Sequence, residues 1–508
     1  MAEKGSRETG WVIYPIGSKP RWGLAFLLGI QQYLTMFGAT VLVPLIVGGA
    51  MKVPIEEQAI LISTVFFCMG IATLIQQSPL GNRLPIVQGS SFSFLPPTFA
   101  IIGLVSAQHM GWQIMIQQVS IAIMVASLFE IVLGYSGLMG YIKRVISPVV
   151  IAPTITMIGI SLFSLGVPAM ASNWGVSLIT LMALILFSQV FSRYSRVFLL
   201  FPVLLAIIIG WIAALIGSLA GWIPADSSSY MLGAKLSVIK AAPWFTIRHM
   251  IPFKFGFPKF GSIFIAGTFG MLAGYLASMI ESIGDYYSCA RISEGPVPTE
   301  KMISKGLGAE GIGCFITGLF QSVAATTSYS ENIGAIGLTR VASRRVIRAG
   351  AVFMLIIPML GKFSTALATL PDAVKGAMYV GLFGMIAAVG LSNLQFVNLN
   401  NARNLFIIGI TLFAGLSVSY HFSKNPINWS EAGKVAEVLG NILQAIFTSA
   451  MSVTAILGLI LDNFLPGATR KDRGLTVWEL EATEEAWEKA EAEWAKMKIG
   501  EERKVFAK

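Results

Sequence analysis

Apolar stretches of membrane-spanning length follow one another along nearly the whole chain. About fourteen of them occur between residues 23 and 461, and most can hold a helix of about 20 residues, the length that crosses a bilayer. Only 12% of the 508 residues are charged, whereas an ordinary soluble domain carries roughly 25%. This pattern excludes a soluble enzyme, a secreted disulfide scaffold and a disordered chain. It predicts an all-α polytopic membrane protein with 14 transmembrane segments.

Basic residues are concentrated in alternate short connections, for example at Arg83, at Arg193 and in the cluster 340–348. An even number of segments places both termini on the side that these connections face. By the positive-inside rule that side is the cytoplasm. We therefore expect a multi-pass protein of the plasma (inner) membrane, with residues 1–22 as a cytoplasmic N-terminal segment and 462–508 as a charged cytoplasmic tail.

The tail carries three tryptophans, Trp478, Trp487 and Trp494, in a sequence rich in Glu, Lys and Ala. This composition predicts a helix that lies either on the membrane surface or on its own protein. The alternative is a solvated charged helix with no specific role.

Two of the segments are poor membrane-spanning helices. Residues 85–97 in the third segment and 325–340 in the tenth are polar and interrupted by Gly or Pro. Backbone at membrane depth is tolerated in such a form only where it lines a cavity. The two breaks lie seven segments apart, which predicts a 7+7 inverted repeat of residues 23–222 and 262–461, joined by the loop 223–261. Corresponding broken segments are typical of the binding site of a transporter.

Four acidic residues lie within apolar sequence, where charge is costly: Glu130, Glu281, Asp285 and Glu331. Glu281 and Asp285 are four residues apart and share one helix face, as a proton carrier or half of a sodium site requires. Glu331 follows the break in the tenth segment. The alternative is that these acids hold helices together, which is the favoured interpretation for Glu130 alone.

The first segment contains an amide pair, Gln31 and Gln32, which either joins helices or lines the polar cavity. The sequence has no nucleotide-binding GxxxxGK[ST] motif, no nucleophile–base pair in a soluble domain and no metal-ligand cluster. We therefore expect no enzymatic activity, no metal site and no cofactor other than a coupling H⁺ or Na⁺. Nucleic acid is not an expected partner.

The string from Glu331 to Arg340 resembles the signature [Q/E/P]-N-x-G-x-x-x-x-T-[R/K/G] of the nucleobase–ascorbate transporter family, and every defined position matches. GATVLVP at 38–44, GSSFSF at 89–94 and ESIGD at 281–285 also resemble this family, as do GKFSTALATLP and GLFGMIAAVGLSNLQF from 361 onward. The resemblance covers roughly residues 20–475. One departure is Gln31-Gln32, where the family usually has Gln-His.

The resemblance implies a core domain and a gate domain, frequent dimerisation, and cation-coupled uptake of a nucleobase, or of ascorbate in animal members. By position, Glu281 and Glu331 would hydrogen-bond the base, and Phe92 and Ser330 would offer backbone groups beside it. Asp285 would stand in the coupling region and Asn332 would support the tenth segment. Our further candidates are Tyr329 and Gln31 for the substrate and Gln32, with Glu281, for the cation.

Glu331 favours a nucleobase such as uracil or a xanthine-type purine, because its N–H groups donate to carboxylates whereas the ascorbate anion is repelled by them. A sodium-coupled ascorbate transporter is the first alternative. An anion transporter or channel of related 7+7 architecture is the second, and it predicts basic residues or bare helix N-termini at the breaks.

Overall fold

The computed structural model describes residues 12–138, 145–258, 260–427, 429, 431, 433–476 and 483–497. Helices dominate this part of the chain, and a small sheet of two short strands lies between them. The prediction of an all-α membrane protein is therefore confirmed. Residues 1–11 of the N-terminal segment and Trp478 of the tail lie outside the described residues.

The first half begins with two long helices and reaches the first break at strand β1 and a short 3₁₀ turn, Phe92–Phe94. Its elements are α1 (Trp22–Ala50), α2 (Ile55–Gln76), β1 (Gln88–Ser90), α3 (Leu95–Ala107), α4 (Trp112–Tyr135), α5 (Pro148–Ser161), α6 (Phe163–Met170), α7 (Trp174–Ile185), α8 (Arg196–Leu200) and α9 (Pro202–Leu219).

A loop with one short helix, α10 (Ala234–Ala241), leads to the second half. There the elements are α11 (Ser262–Ile292), α12 (Glu300–Leu319), β2 (Thr326–Ser328), α13 (Ser330–Thr339), α14 (Arg344–Ile356), α15 (Gly361–Ala368), α16 (Asp372–Ser392), α17 (Ala402–Lys424), α18 (Lys434–Phe447) and α19 (Ala450–Phe464), and the tail adds α20 (Glu484–Ala495).

Among the described residues, nine helices are long and apolar enough to cross a membrane. The helices α18 and α19, which meet at an angle of 90°, are together long and apolar enough for a tenth. The third and tenth segments are each a strand followed by a short helix, so the predicted breaks are confirmed. With these shorter pieces, the elements form the 14 predicted segments as a 7+7 repeat.

The two breaks meet as an antiparallel pair of strands. Gln88 of β1 lies opposite Ser328 of β2, and Ser90 lies opposite Thr326. All six strand residues are buried, and pairing satisfies backbone groups that lipid could not. The helices α3 and α13 therefore start from one point in the interior and run in opposite directions.

Glycines allow helices around this point to approach closely. A Cβ atom on Gly134 of α4 would lie 2.2 Å from the backbone nitrogen of Gly308 in α12. A Cβ atom on Gly29 of α1 would lie 2.5 Å from the nitrogen of Gly350 in α14. Small residues at such crossings are how helices pack in membranes, where hydrophobic attraction between helices is weak.

The tail helix α20 packs on the protein rather than extending into solvent. Trp487 and Trp494 are buried, and Trp487 donates its indole N–H to the carbonyl of Val297 at 2.8 Å. Glu491 pairs with Arg344 at 2.6 Å. The two tryptophans join the apolar cluster that also contains Ile333 and Ile336 of α13, so the tail supports the helix that follows the second break.

Candidate functional site

Helix α11 brings two carboxylates to the ends of both breaks. Ser93, just after β1, donates to Glu281 Oε2 at 3.3 Å. Ser330, just after β2, donates to Asp285 Oδ1 at 2.8 Å. The i, i+4 spacing of Glu281 and Asp285 places them one turn apart on one face, as predicted, and that face meets both segments.

Glu331 lies in the first turn of α13, where the helix dipole favours a negative charge. Glu331 and Ser330 are both exposed. Gly334 has nothing within 4 Å of the position that a Cβ would take, and Leu338 is 42% exposed. These residues recur every three or four positions, so one face of α13 is open along its whole length.

The open face of α13 ends at a cavity of about 210 Å³ between α1, α8 and the last turn of α13. Gln31 lines this cavity together with Leu28, Leu338 and Thr339. Gln31 therefore lies at the end of α13, about two helical turns along it from Glu331.

Phe92 stands two residues after β1, as Ser330 stands two residues after β2, and it contacts α16. Its ring meets Phe383 of α16 edge-on, with 5.7 Å between ring centroids. Tyr379 stacks on Phe383 at 5.6 Å. Phe92 is half-buried, and it thus forms an aromatic wall between α11 and α16.

Asn332 joins the second break to the first. Its amide oxygen accepts from the backbone N–H of Val87 at 3.0 Å, and its amide nitrogen donates to Gln32 Oε1 at 3.0 Å. Gln32 also donates to Thr339 Oγ1 at 3.4 Å. Asn332 and Gln32 are both buried, and their contacts fix the position of α13 relative to β1 and α1.

Tyr329 points into the protein, away from the open face of α13. Its hydroxyl donates to the carbonyl of Ser90 at 2.9 Å. Its ring lies against Gly89, where a Cβ would come within 2.2 Å of the ring. Tyr329 therefore packs on β1 and holds this strand in place.

Glu310 of α12 is a buried carboxylate that our sequence analysis did not include among the site residues. It accepts from the hydroxyls of Ser282 at 2.6 Å and Tyr286 at 2.9 Å, and from the hydroxyl of Ser328 in β2 at 3.2 Å. Ser278 adds a contact at 3.3 Å. Ser278, Ser282 and Tyr286 repeat every four residues along α11, and this polar stripe is the signal that could have predicted a buried partner.

Glu130 of α4 lies in a different environment. It is fully buried, and among the described residues neither of its carboxylate oxygens has a hydrogen-bond partner. Its side chain therefore makes no hydrogen bond to the broken third segment or to the broken tenth segment. Glu130 is therefore a buried carboxylate near Glu310 that is not part of the hydrogen-bonded groups around the two breaks.

The site has acidic groups without basic counterparts. No Lys or Arg occurs in residues 84–142, 260–290 or 306–339, which include both breaks and the acidic part of α11. Asp285 Oδ2 is buried and has no partner among the described residues. Such a site can accept hydrogen bonds from a neutral ligand or hold a cation, and it repels anions.

Comparison with known proteins decides the family. The model of the Permease family matches residues 23–424. The chain is 38% identical to human Solute carrier family 23 member 2 over 92% of this chain and 76% of that protein. It is 34% identical to Nucleobase-ascorbate transporter 2 of Arabidopsis thaliana, over 92% of this chain and 90% of that protein. The chain belongs to the nucleobase–ascorbate transporter family.

Membership in this family makes the chain a multi-pass membrane transporter and not an enzyme. Among solved structures it is similar to the transmembrane domain of a cyanobacterium bicarbonate transporter, BicA, at 15% identity and a TM-score of 0.48. That similarity covers 89% of this chain and 99% of the other.

Proposed function

We propose that this transporter is a secondary active symporter that carries a nucleobase, uracil or a xanthine-type purine, together with a cation. The observation that carries the proposal is the position of Glu281 and Glu331 at the two breaks. Glu281 accepts a hydrogen bond from Ser93 after the first break, Glu331 lies in the first helical turn after the second, and no basic residue stands near them in sequence. Neutral nucleobases present N–H donors, and hydrogen bonds from such donors to a carboxylate are strong.

Phe92 is the apolar partner of the two acids in this proposal. A planar base stacks on its ring while its edge faces Glu281 and Glu331, and aromatic pairs of this kind contribute about 0.5–1.5 kcal/mol. Ser330 supports the arrangement by donating to Asp285, and its backbone offers groups to the base.

Asp285 is the proposed coupling residue, acting with Glu281, and Asn332 and Gln32 hold the second break in place. The unpartnered oxygen of Asp285 offers a position for H⁺ or Na⁺. Access alternates as the unit that carries the two breaks moves against the helices that face it. We further propose that the protein is a homodimer in the plasma membrane with cytoplasmic termini.

Uptake by cells that express the chain tests the proposal. Radiolabelled uracil, xanthine, uric acid and ascorbate are compared in the wild type and in Glu281→Gln, Glu331→Gln and the control Glu130→Gln. We expect nucleobase uptake that both site variants reduce and the control preserves. Imposed pH and sodium gradients then identify the driving ion.

Ascorbate uptake that exceeds nucleobase uptake would contradict the proposed substrate. Full nucleobase affinity in both Glu281→Gln and Glu331→Gln would contradict the proposed site. Uptake that ignores both gradients would contradict symport with either cation.

A further inference from the structure

Four arginines gather where the N-terminal segment, the end of α2 and the start of α14 meet. Arg344 donates through Nε to the carbonyl of Arg83. Arg348 donates to the carbonyl of Gln77 at 3.0 Å, and Arg345 donates to that of Pro20 at 3.1 Å. These contacts bring like charges together on one side of the membrane region.

Negative charge does not balance this cluster. Within the described residues, Glu491 of the tail is the one carboxylate within 4.0 Å of any of the four, and it pairs with Arg344. Arg83 and Arg348 are exposed, and Arg345 is half-buried. Since a guanidinium has five donors and carbonyls occupy few of them here, the cluster keeps free donors for a ligand with several acceptor oxygens.

The cluster adjoins a surface suited to lipid. Arg345 lies over the ring of Trp22, with 4.8 Å from its guanidinium carbon to the ring centroid. Trp22, at the start of α1, is 56% exposed, and Leu27, five residues further, is 65% exposed. Tryptophan at the end of a membrane helix marks headgroup depth, and exposed leucine beyond it marks the depth of acyl chains.

We propose that Arg83, Arg345 and Arg348 bind the phosphate of an anionic phospholipid in the leaflet on the side of the N-terminal segment. Arginine forks match phosphate geometry with paired N–H···O bonds. The acyl chains lie along α1 at Leu24 and Leu27. Basic pockets between membrane helices at the headgroup level are suited to anionic lipid headgroups.

Bound lipid at this position stabilises the contact between α1 and α14. These helices cross at Gly29 and Gly350. Gly350 follows Arg348 by two residues, and Gly29 follows Trp22 by seven. A phosphate that neutralises the arginines removes repulsion at the start of α14. The lipid therefore acts on stability, and its role does not depend on the identity of the transported substrate.

Thermal unfolding of the full-length chain in detergent tests the site. Phosphatidylglycerol, phosphatidylcholine and inorganic phosphate are added separately to the wild type, to Arg83→Gln/Arg348→Gln and to the control Arg193→Gln/Arg291→Gln. The control removes two exposed arginines from connections predicted to face the same side. We expect phosphatidylglycerol to raise the melting temperature of wild type and control more than phosphatidylcholine does, and the cluster variant to lose at least half of that difference.

An equal phosphatidylglycerol effect in the cluster variant and the control would overturn the proposal. Stabilisation by inorganic phosphate that equals that by phosphatidylglycerol would also overturn it, because the site would then bind a free anion. A cluster variant that unfolds without ligand at the wild-type temperature, yet does not respond to phosphatidylglycerol, would support it most clearly.

Discussion

The two segments that follow the breaks share a framework but present different surfaces. Each has a buried strand, a serine that donates to a carboxylate of α11, and a short helix. After β1, Ser93 and Thr98 are buried, and Phe92 contacts Phe383. After β2, Ser330 and Glu331 are exposed. The first segment is thus mostly buried and presents an aromatic ring, whereas the second is exposed and presents a carboxylate.

The difference indicates how the two halves divide their tasks. The open face of α13 ends on the side of the N-terminal segment, since the carbonyl of Arg340 accepts from the backbone N–H of Ile13 at 2.9 Å. The exposed face of α13 thus extends toward that side, while Phe92 after the first break packs against Phe383. In the proposed function, the second segment recognises polar edges of the substrate and the first offers an aromatic surface.

Replacing Asp285 should give the largest effect. Asp285→Asn keeps the shape of the side chain and removes the negative charge that the coupling cation requires. We expect concentrative uptake to fall to the level of cells without the protein, while binding of the nucleobase to purified protein persists. Uptake against a gradient in Asp285→Asn would place the coupling elsewhere.

Cysteine labelling tests whether the segments differ in access. The three native cysteines are buried, so the wild-type chain is a suitable background. We expect Gly334→Cys, on the open face, to react with a polar thiol reagent at least about tenfold faster than Ser93→Cys, because reaction requires an accessible thiol. Equal rates would show that the two segments are equally open.

Removing Asn332 should separate the segments. Asn332→Ala leaves the buried N–H of Val87 and the amide oxygen of Gln32 without partners, at a cost of about 1–3 kcal/mol for each group. The melting temperature in detergent should fall clearly, whereas an exposed amide replaced in Asn400→Ala should change stability by less than about 0.5 kcal/mol. A stable Asn332→Ala variant would mean that the strands alone hold the segments together.

The smallest effect is expected for the aromatic wall of the first segment. A double-mutant cycle between Phe92→Leu and Phe383→Leu should give a coupling energy of about 0.5–1.5 kcal/mol in protein stability. Nucleobase affinity should fall only a few-fold in Phe92→Leu. If Phe92→Leu lost more nucleobase affinity than Glu331→Gln, the first segment and not the second would supply most of the substrate recognition.

The sequence predicted the positions of both breaks because Gly, Pro and clustered polar residues cannot form an uninterrupted membrane helix. It also predicted that Glu281 and Asp285 share a face, which follows from helical periodicity alone. It did not predict that the breaks pair as strands. That pairing joins residues more than two hundred positions apart, and local sequence carries no record of such contacts.

Other features depend on tertiary contacts in the same way. Gln31 and Gln32 are adjacent in sequence, yet one lines a cavity and the other bonds Asn332. In the sequence, Glu310 stands near the start of an apolar stretch, where an acid needs no special explanation. Only the fold shows that serine and tyrosine hydroxyls of α11 donate to it. The tryptophans of the tail were compatible with a helix on the membrane surface or on the protein. The contacts of Trp487 with Val297 and of Glu491 with Arg344 show that the helix packs on the protein.

Equilibrium binding to purified protein tests the central claim, that Glu281 and Glu331 recognise a neutral base, most directly. Calorimetric titration with uracil, xanthine and ascorbate compares the wild type with Glu331→Gln. We predict that a nucleobase binds the wild type and that Glu331→Gln weakens it about 10- to 100-fold, the effect of losing a hydrogen bond to a charged group. Ascorbate that binds the wild type more tightly than any nucleobase, or nucleobase affinity unchanged in Glu331→Gln, would contradict the claim.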